Sequence, residues 1–152
     1  MEDTLTASLI DTNILVYANN EDSPYHTGCK DLVMKAINGS ISCAIAFQNL
    51  VELYAVITDK RRVEHALTPV KAKELIEFYK NQENIQIIMP TYETLSTLAD
   101  LIAKYTPTAQ SIFDFTLVAT MKDNGISEIY TLNVDHFNSF DNIRATNPTA
   151  AL

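Results

Sequence analysis

Three carboxylates of this chain lie inside or at the end of apolar stretches. Asp11 lies in SLIDTNILVYA, Glu52 in QNLVELYAVIT and Asp114 in IFDFTLVATMK. An ionised carboxylate is costly to bury unless it is hydrogen-bonded, paired or bound to a cation. Clustered carboxylates also raise one another's pKa unless a cation neutralises them, and oxygen ligands suit Mg²⁺ or Mn²⁺. If the fold brings the three acids together, they form a site for a divalent metal ion.

The chemistry of such a site is hydrolysis of phosphodiester bonds. A divalent ion can polarise a phosphoryl oxygen, generate hydroxide from bound water and stabilise the leaving oxygen. This route needs no serine or cysteine nucleophile, and the chain has no Gly-x-Ser-x-Gly, Walker A or Gly-x-Gly-x-x-Gly pattern. His26, His65 and His136 lack the spacing of zinc ligands, which favours ordinary surface or core histidines.

Each acid also has a simpler explanation in terms of local structure. Asp11 could cap a helix that begins at Thr12. Glu52 could lie on a narrow polar stripe that faces solvent. Asp114 completes a Ser-x-x-Asp pattern with Ser111, which resembles a capping box, and an acid in a first helical turn favours the helix dipole. These alternatives stay open at the level of sequence.

Four further positions are candidates for the same site. Thr131, Asn133 and Asp135 follow the last clear strand in YTLNVDHF, and Asn13 lies two residues after Asp11. Turn chemistry alone also explains Asn and Asp after a strand.

The elements that must position these residues alternate between short strands and helices. Strands are predicted at ASLI, SISCA, IQIIM, EIYT and NIRA. Residue types mark the ends of the intervening helices. One of these has Ser23 as its cap, Pro24 in first position and Gly39 as terminator, and a largely apolar helix follows over residues 46–59. Further along the chain, Thr68 and Pro69 open a helix, Thr91 is a simple cap, and Gly125 is the last terminator. This alternation predicts an α/β three-layer sandwich with a mostly parallel sheet, in which ligands gather beyond the carboxyl ends of the strands.

Length and composition predict one domain spanning residues 1–152, because 152 residues with 47% hydrophobic content can bury a substantial core. Cys29 and Cys43 are read as small core residues of a protein in the reducing cytoplasm. The acidic N-terminus and the lack of a long apolar run predict no signal peptide and no membrane span.

The net charge of −8 argues against broad binding to nucleic-acid phosphates. The compact basic stretch DKRRVEHA, residues 59–66, is either a solvated loop or a local contact for a polyanion.

Four segments together resemble the PIN-domain ribonucleases, and among them the toxins of VapBC-type toxin–antitoxin pairs. LIDTNILVYA looks like the family's opening strand with its first acid at Asp11, and QNLVELYAVIT like the helix that carries Glu52. DFTLVATMKDNG resembles the helix with the third acid at Asp114, and IYTLNVDHF the closing strand and loop. One position departs from the pattern, because many members have an Asp where this chain has Asn133. Either Asn133 contributes a neutral carbonyl or Asp135 takes the place of the fourth acid.

The resemblance implies a parallel five-stranded sheet, Mg²⁺ or Mn²⁺ at the acidic cluster, and cleavage of single-stranded RNA. It further implies a homodimer and a small antitoxin protein that occludes the site. In this reading Asp11 and Asp114 hold the ion, and Glu52 helps to hold it or orients the attacking water. Two alternatives remain: a PIN-like binding or dimerisation module without catalysis, and a phosphatase of the haloacid-dehalogenase kind. The phosphatase needs Asp-x-Asp, whereas this chain has Asp11-Thr12-Asn13.

Overall fold

The computed structural model describes residues 6–149, which contain a parallel sheet of five short strands in the order β3-β2-β1-β4-β5. The strands are β1 (Ser8–Ile10), β2 (Cys43–Ala46), β3 (Ile85–Ile88), β4 (Glu128–Tyr130) and β5 (Arg144–Thr146). Every neighbouring pair is parallel. Parallel neighbours need crossover connections, which the helices supply. The predicted fold class and all five predicted strands are confirmed.

Within residues 6–149, seven α-helices connect and cover the strands. They are α1 (Thr12–Ala18), α2 (His26–Ile37), α3 (Phe47–Ile57), α4 (Pro69–Lys80), α5 (Thr94–Tyr105), α6 (Ile112–Asp123) and α7 (Val134–Asn138), with a short 3₁₀ turn at Ala109–Ser111. The basic stretch of residues 59–66 lies in the connection between α3 and α4.

The sheet has a hydrophobic core on each face, because successive side chains of a strand point to opposite sides. Leu9 packs into one core with residues of α5, α6 and α7, whereas Ile10 packs into the other with residues of α1 to α4. This is the three-layer arrangement expected from the sequence. Cys29 and Cys43 are buried and unpaired in the second core, as predicted.

Several predicted helix ends are confirmed by their hydrogen bonds or dihedral angles. The Thr68 hydroxyl accepts a hydrogen bond from the Lys71 amide at 3.3 Å at the start of α4. Gly39 and Gly125 follow α2 and α6 with φ of 80° and 70°, a left-handed conformation that costs glycine little.

Two predicted helix starts were wrong because hydroxyl groups there form turns instead. The helix predicted from Ser23 and Pro24 begins only at His26, and the Ser23 hydroxyl accepts from the Tyr25 amide at 3.1 Å. Likewise, Thr91 does not cap α5: its hydroxyl accepts from the Glu93 amide at 3.2 Å. Serine and threonine form such local turns with the same chemistry that they use in caps, so spacing alone does not separate the two.

Within residues 6–149, no helix has both the length and the apolar character required to cross a membrane. The prediction that there is no signal peptide rests partly on residues 1–5, which lie outside the described part of the chain.

Candidate functional site

The candidate site lies where the strand order of the sheet reverses. From β1 the chain moves to β2 and β3 on one side, and it later returns to place β4 and β5 on the other side. The reversal therefore falls between β1 and β4, whose carboxyl ends lead into Asp11 and Thr131. The Asp11 amide donates to the Tyr130 carbonyl at 3.0 Å, which keeps the two strand ends together. Parallel α/β sheets bind ligands at this kind of switch point.

Asp11 is buried, with 8% of its surface exposed, and each carboxylate oxygen accepts a hydrogen bond. The Thr131 hydroxyl donates to Oδ2 at 2.7 Å, and the Thr12 amide donates to Oδ1 at 2.8 Å. The pKa of Asp11 is raised to about 6, chiefly by burial and to a smaller extent by the charges of Asp114 and Glu52, although the two hydrogen bonds lower it. Asp11 does cap α1, but capping engages only one of its oxygens. Capping α1 is therefore one role of Asp11, and it does not by itself account for the contacts of this side chain.

Glu52 lines the cavity beside Asp11, and a hydrogen bond to Thr12 joins it to α1. The Thr12 hydroxyl donates to Glu52 Oε2 at 2.8 Å and accepts from Asn49 Nδ2 at 3.0 Å. Asn49 is fully buried, and its Oδ1 accepts from the Ala46 amide at 3.0 Å at the start of α3. Gln48 Nε2 donates to Glu52 Oε1 at 2.7 Å. The polar stripe predicted on this helix thus points inward.

Asp114 reaches the site from the first turn of α6 and is half-buried. His136 Nε2 lies 2.9 Å from Asp114 Oδ2. Burial raises the pKa of Asp114, the neighbouring His136 lowers it, and the charge of Glu52 raises it. The capping-box alternative is wrong, because the Ser111 hydroxyl donates to the Thr108 carbonyl at 2.6 Å and makes no cap for α6.

The residues after β4 separate the two candidates for a fourth acid. The Asn133 amide donates to the Thr131 hydroxyl at 3.0 Å, and Asn133 lines the same cavity as Asp11. Asp135 is exposed in the first turn of α7 and does not line that cavity. The geometry favours Asn133 over Asp135 at this position.

These side chains line a cavity of about 470 Å³. Its walls are formed by Asp11, Thr12, Asn13, Val16, Tyr17, Asn20, Glu52, Ala55, Val56, Arg62, Val63, Phe113, Asp114 and Asn133. The site residues predicted from the sequence therefore meet in one place, except Thr131, which lies behind Asp11, and Asp135.

The donor set in the cavity fits a hard divalent cation. Asp11, Glu52 and Asp114 offer carboxylate oxygens, and Asn13 Oδ1 is buried without a hydrogen-bond partner in the described part of the chain. Mg²⁺ and Mn²⁺ prefer oxygen ligands of this kind. Among residues 6–149, the acids and histidines whose ligand atoms come closest to a ready-made metal site lie elsewhere. They are Asp22, Glu64 and His65, which are exposed and have their ligand atoms within 4.8 Å of one another. The three cavity carboxylates are spread more widely than that.

Two residues with contacts in the site were not assigned a role from the sequence. No ligand spacing singles out His136, yet it contacts Asp114. Asn49 lies on α3 three residues before Glu52, but its bridge to Thr12 depends on α1 lying alongside, which spacing within one helix does not reveal.

A sequence profile described as the PIN domain matches residues 8–143 of the chain. Ribonuclease VapC24 of Mycobacterium tuberculosis is 26% identical over 139 residues, which cover 91% of this chain and 94% of that protein.

Solved structures show the same fold. A Mycobacterium tuberculosis VapC20, described as a Sarcin-Ricin loop cleaving toxin, matches with a TM-score of 0.65 and 17% identity over 91% of this chain and 99% of that one. A toxin–antitoxin complex from Klebsiella pneumoniae contains a chain that matches with a TM-score of 0.59 and 15% identity, over 93% of this chain and 98% of that chain.

Proposed function

The chain belongs to the PIN domain family, and on that premise we propose that it is a metal-dependent endoribonuclease that hydrolyses RNA phosphodiester bonds. The observation that carries the proposal is the meeting of Asp11, Glu52 and Asp114 in one cavity at the switch point of the sheet. Acids that share a cavity repel one another when ionised, and this repulsion raises the pKa of Asp11 and of Asp114. Folding alone therefore gives no reason to place three acids together.

The ion proposed for this cavity is Mg²⁺ or Mn²⁺, with Asp11 and Asp114 as its main ligands. Glu52 and the unpartnered Asn13 Oδ1 are the further oxygen donors. When bound, such an ion supplies Lewis-acid polarisation of a phosphoryl oxygen and a lowered pKa of coordinated water.

The chain's own residues prepare the cavity for this chemistry through hydrogen bonds that hold the acids in place. Thr131 and the Thr12 amide orient the Asp11 carboxylate, while Gln48 and the Thr12 hydroxyl orient Glu52. Outer partners of this kind set the direction of a metal ligand and contribute strongly to affinity. With a pKa of about 6, Asp11 is mostly ionised at neutral pH even without a cation.

The biological role we propose is the toxin of a toxin–antitoxin pair that acts in the cytoplasm. The support comes from the relatives, because one is named a ribonuclease and a solved structure with this fold is a toxin–antitoxin complex. The partners that follow are an RNA substrate, a small antitoxin protein and a second copy of this chain in a homodimer. The net charge of −8 further favours a narrow choice of RNA over general binding.

The decisive experiment is cleavage of RNA by the purified protein and three variants. Wild-type protein with Mn²⁺ should cleave, and a chelator should stop it. Asp11→Asn and Asp114→Asn should lose cleavage, whereas Asp100→Asn on the exposed face of α5 should retain it, since it changes the same group outside the site. Cleavage that depends on Mn²⁺ and persists in pure Asp11→Asn protein would rule out the assigned site.

Calorimetric titration with Mn²⁺ separates the enzyme from the inactive module. The enzyme should bind Mn²⁺ in the wild type and lose binding in Asp11→Asn. A wild-type protein that neither binds Mn²⁺ nor cleaves RNA would support a PIN-like module without catalysis.

The toxin role has its own test. Expression of the wild type should arrest growth, and co-expression of a small antitoxin encoded beside it should restore growth. Growth that continues despite active nuclease would contradict the toxin role alone.

A further inference from the structure

We propose that Arg62 anchors a backbone phosphate of single-stranded RNA at the carboxylate cavity, and that Phe113 is the surface on which an unpaired base stacks. The inference rests on the proposed nuclease function and adds to it the side chains that hold the substrate.

Arg62 is the cation among the described residues that line the cavity. The other charged lining residues are the acids Asp11, Glu52 and Asp114, in a chain of net charge −8. A polyanionic substrate that approaches this cavity needs a compensating positive charge besides any metal ion, since phosphate contacts by Lys and Arg dominate nucleic-acid affinity.

The main chain around Arg62 is held by backbone hydrogen bonds, while its guanidinium makes no ion pair with the described residues. The Arg62 and Val63 amides donate to the Asp59 carbonyl at 3.0 Å and 3.1 Å, which forms a turn at the end of α3. Arg62 is exposed, and no carboxylate of the described residues lies within ion-pair distance of it. Its charge makes only the smallest contribution to the lowered pKa of Asp59. An arginine that is placed by its backbone but unpaired at its side chain is suited to bind a phosphate from solution.

The neighbouring Arg61 is used differently and provides a matched comparison. Its Nε and Nη2 donate to the two carboxylate oxygens of Asp59, each at 3.0 Å, so its fork is already occupied. Arg61 does not line the cavity. The two arginines therefore carry the same charge one residue apart, but of the two only Arg62 lines the cavity and has a guanidinium that is not paired with Asp59.

Phe113 supplies an aromatic surface in the same cavity, and 57% of the residue is exposed. Gln48 Nε2 donates to the Phe113 carbonyl at 2.8 Å, which ties this part of α6 to the helix that carries Glu52. Tyr17 also lines the cavity, but its ring packs against Tyr25 with centroids 5.3 Å apart. Phe113 and Arg62 line the same cavity. Proteins hold single strands by combining aromatic rings with cations, because an unpaired base can stack while its phosphate is bound.

The test measures binding separately from cleavage. We would titrate a fluorescently labelled single-stranded RNA decamer with Asp11→Asn protein, in which cleavage is blocked, and follow anisotropy at several KCl concentrations. Adding Arg62→Ala should weaken binding about tenfold and lower the slope of log K against log [salt] by about 0.7, the contribution of one phosphate contact in a single strand. Adding Arg61→Ala should change affinity less than twofold and leave the slope unchanged.

Phe113→Ala on the same background should weaken binding about fivefold or more at every salt concentration with an unchanged slope, because stacking involves no counterion release. Phe113→Tyr should restore the affinity, since it keeps a ring.

Equal effects of Arg62→Ala and Arg61→Ala would overturn the assignment of Arg62, and Phe113→Ala binding like its parent would overturn that of Phe113. Wild-type protein that cleaves RNA while the two arginine variants behave alike would remove only this inference. Binding that depends on Arg62 in a protein without nuclease activity would instead remove the proposed function and keep the anchor.

Discussion

The candidate site, meaning the cavity lining and the side chains that contact it, has two halves that hold their acids in different ways. The inner half, at the sheet, consists of Asp11, Thr12, Asn49, Glu52 and Thr131. The outer half, on α6, α7 and the connection after α3, consists of Arg62, Phe113, Asp114 and His136.

The halves differ in burial and in the number of hydrogen bonds. Asp11 is 8% exposed, and both of its oxygens accept from groups held by the sheet and α1. The Asp114 side chain is 45% exposed, and the contact it makes with His136 involves a side chain that is itself 42% exposed. Water can reach the partner of Asp114, whereas Thr131, which donates to Asp11, is fully buried. For the proposed enzyme, we therefore expect the inner half to set the position of the ion and the scissile bond, and the outer half to adjust to substrate and pH.

The largest effect should follow from removing the acid of the inner half. We expect Asp11→Asn to lower the cleavage rate by at least about 100-fold and by more than Asp114→Asn, since losing a single outer partner of a metal ligand already costs about 10- to 100-fold. Initial rates at saturating Mn²⁺ for both variants measure the difference. A larger loss for Asp114→Asn would reverse the proposed division of the cavity.

The next effect should come from the hydroxyl that holds Asp11. Thr131→Val keeps the shape of the side chain but removes the donor to Asp11 Oδ2, so we expect an activity about 10- to 100-fold lower and weaker Mn²⁺ binding. Thr146→Val, on the neighbouring strand β5 with its side chain exposed, is the matched control. If both variants retain wild-type rates, the inner half does not depend on this hydrogen bond.

Sequence reasoning predicted the inner half better than the outer half for a physical reason. The position of Asp11 follows from local rules, because a buried strand ends at Ile10 and a helix starts at Thr12. Helical periodicity places Glu52 on a narrow polar stripe of α3, while the direction in which the stripe points depends on the neighbouring α1. Local rules do not show that these elements meet at one edge of the sheet. That expectation came from the order of the acids along the chain, which resembles the order in the family.

The contacts between elements could not be predicted in the same way. His136 on α7 reaches Asp114 in the first turn of α6 through a contact between distant parts of the chain, and Asn49 reaches Thr12 because α1 packs against α3. Helix starts at Ser23 and Thr91 were misplaced because hydroxyl groups form turns as readily as caps. Such details depend on tertiary geometry that a single sequence does not specify locally.

The burial of Asp11 should also appear in the stability of the metal-free protein. The folded pKa of about 6 exceeds the usual 3.8, so the folded state binds more protons between these values. Stability from this group is fully present below pH 3.8 and is lost as the pH rises through about 6. Asp11→Asn should therefore be more stable than wild type by about 1 to 3 kcal/mol at pH 7.5, with little difference at pH 4.

Urea denaturation in a chelator at several pH values measures this difference, and groups common to both proteins cancel. Added Mn²⁺ should stabilise only the wild type, since a ligand of the folded state shifts the unfolding equilibrium. A wild type that gains stability relative to Asp11→Asn between pH 4 and pH 7 in chelator would contradict the raised pKa.

The smallest effect should come from the outer half, where His136 is the partner of Asp114. His136 lowers the pKa of Asp114, so its replacement by Asn should raise that pKa and move the acid limb of the pH–activity profile to higher pH. Because Asp114 is half-exposed, the activity of His136→Asn at neutral pH should fall by less than about tenfold, which is the smallest loss expected for Thr131→Val. His65→Asn, at a histidine that contacts Asp22 and none of the three site acids, should leave the profile unchanged. An acid limb that stays in place in His136→Asn, while Thr131→Val loses activity at every pH, would mean that the inner half alone controls the charge of the site.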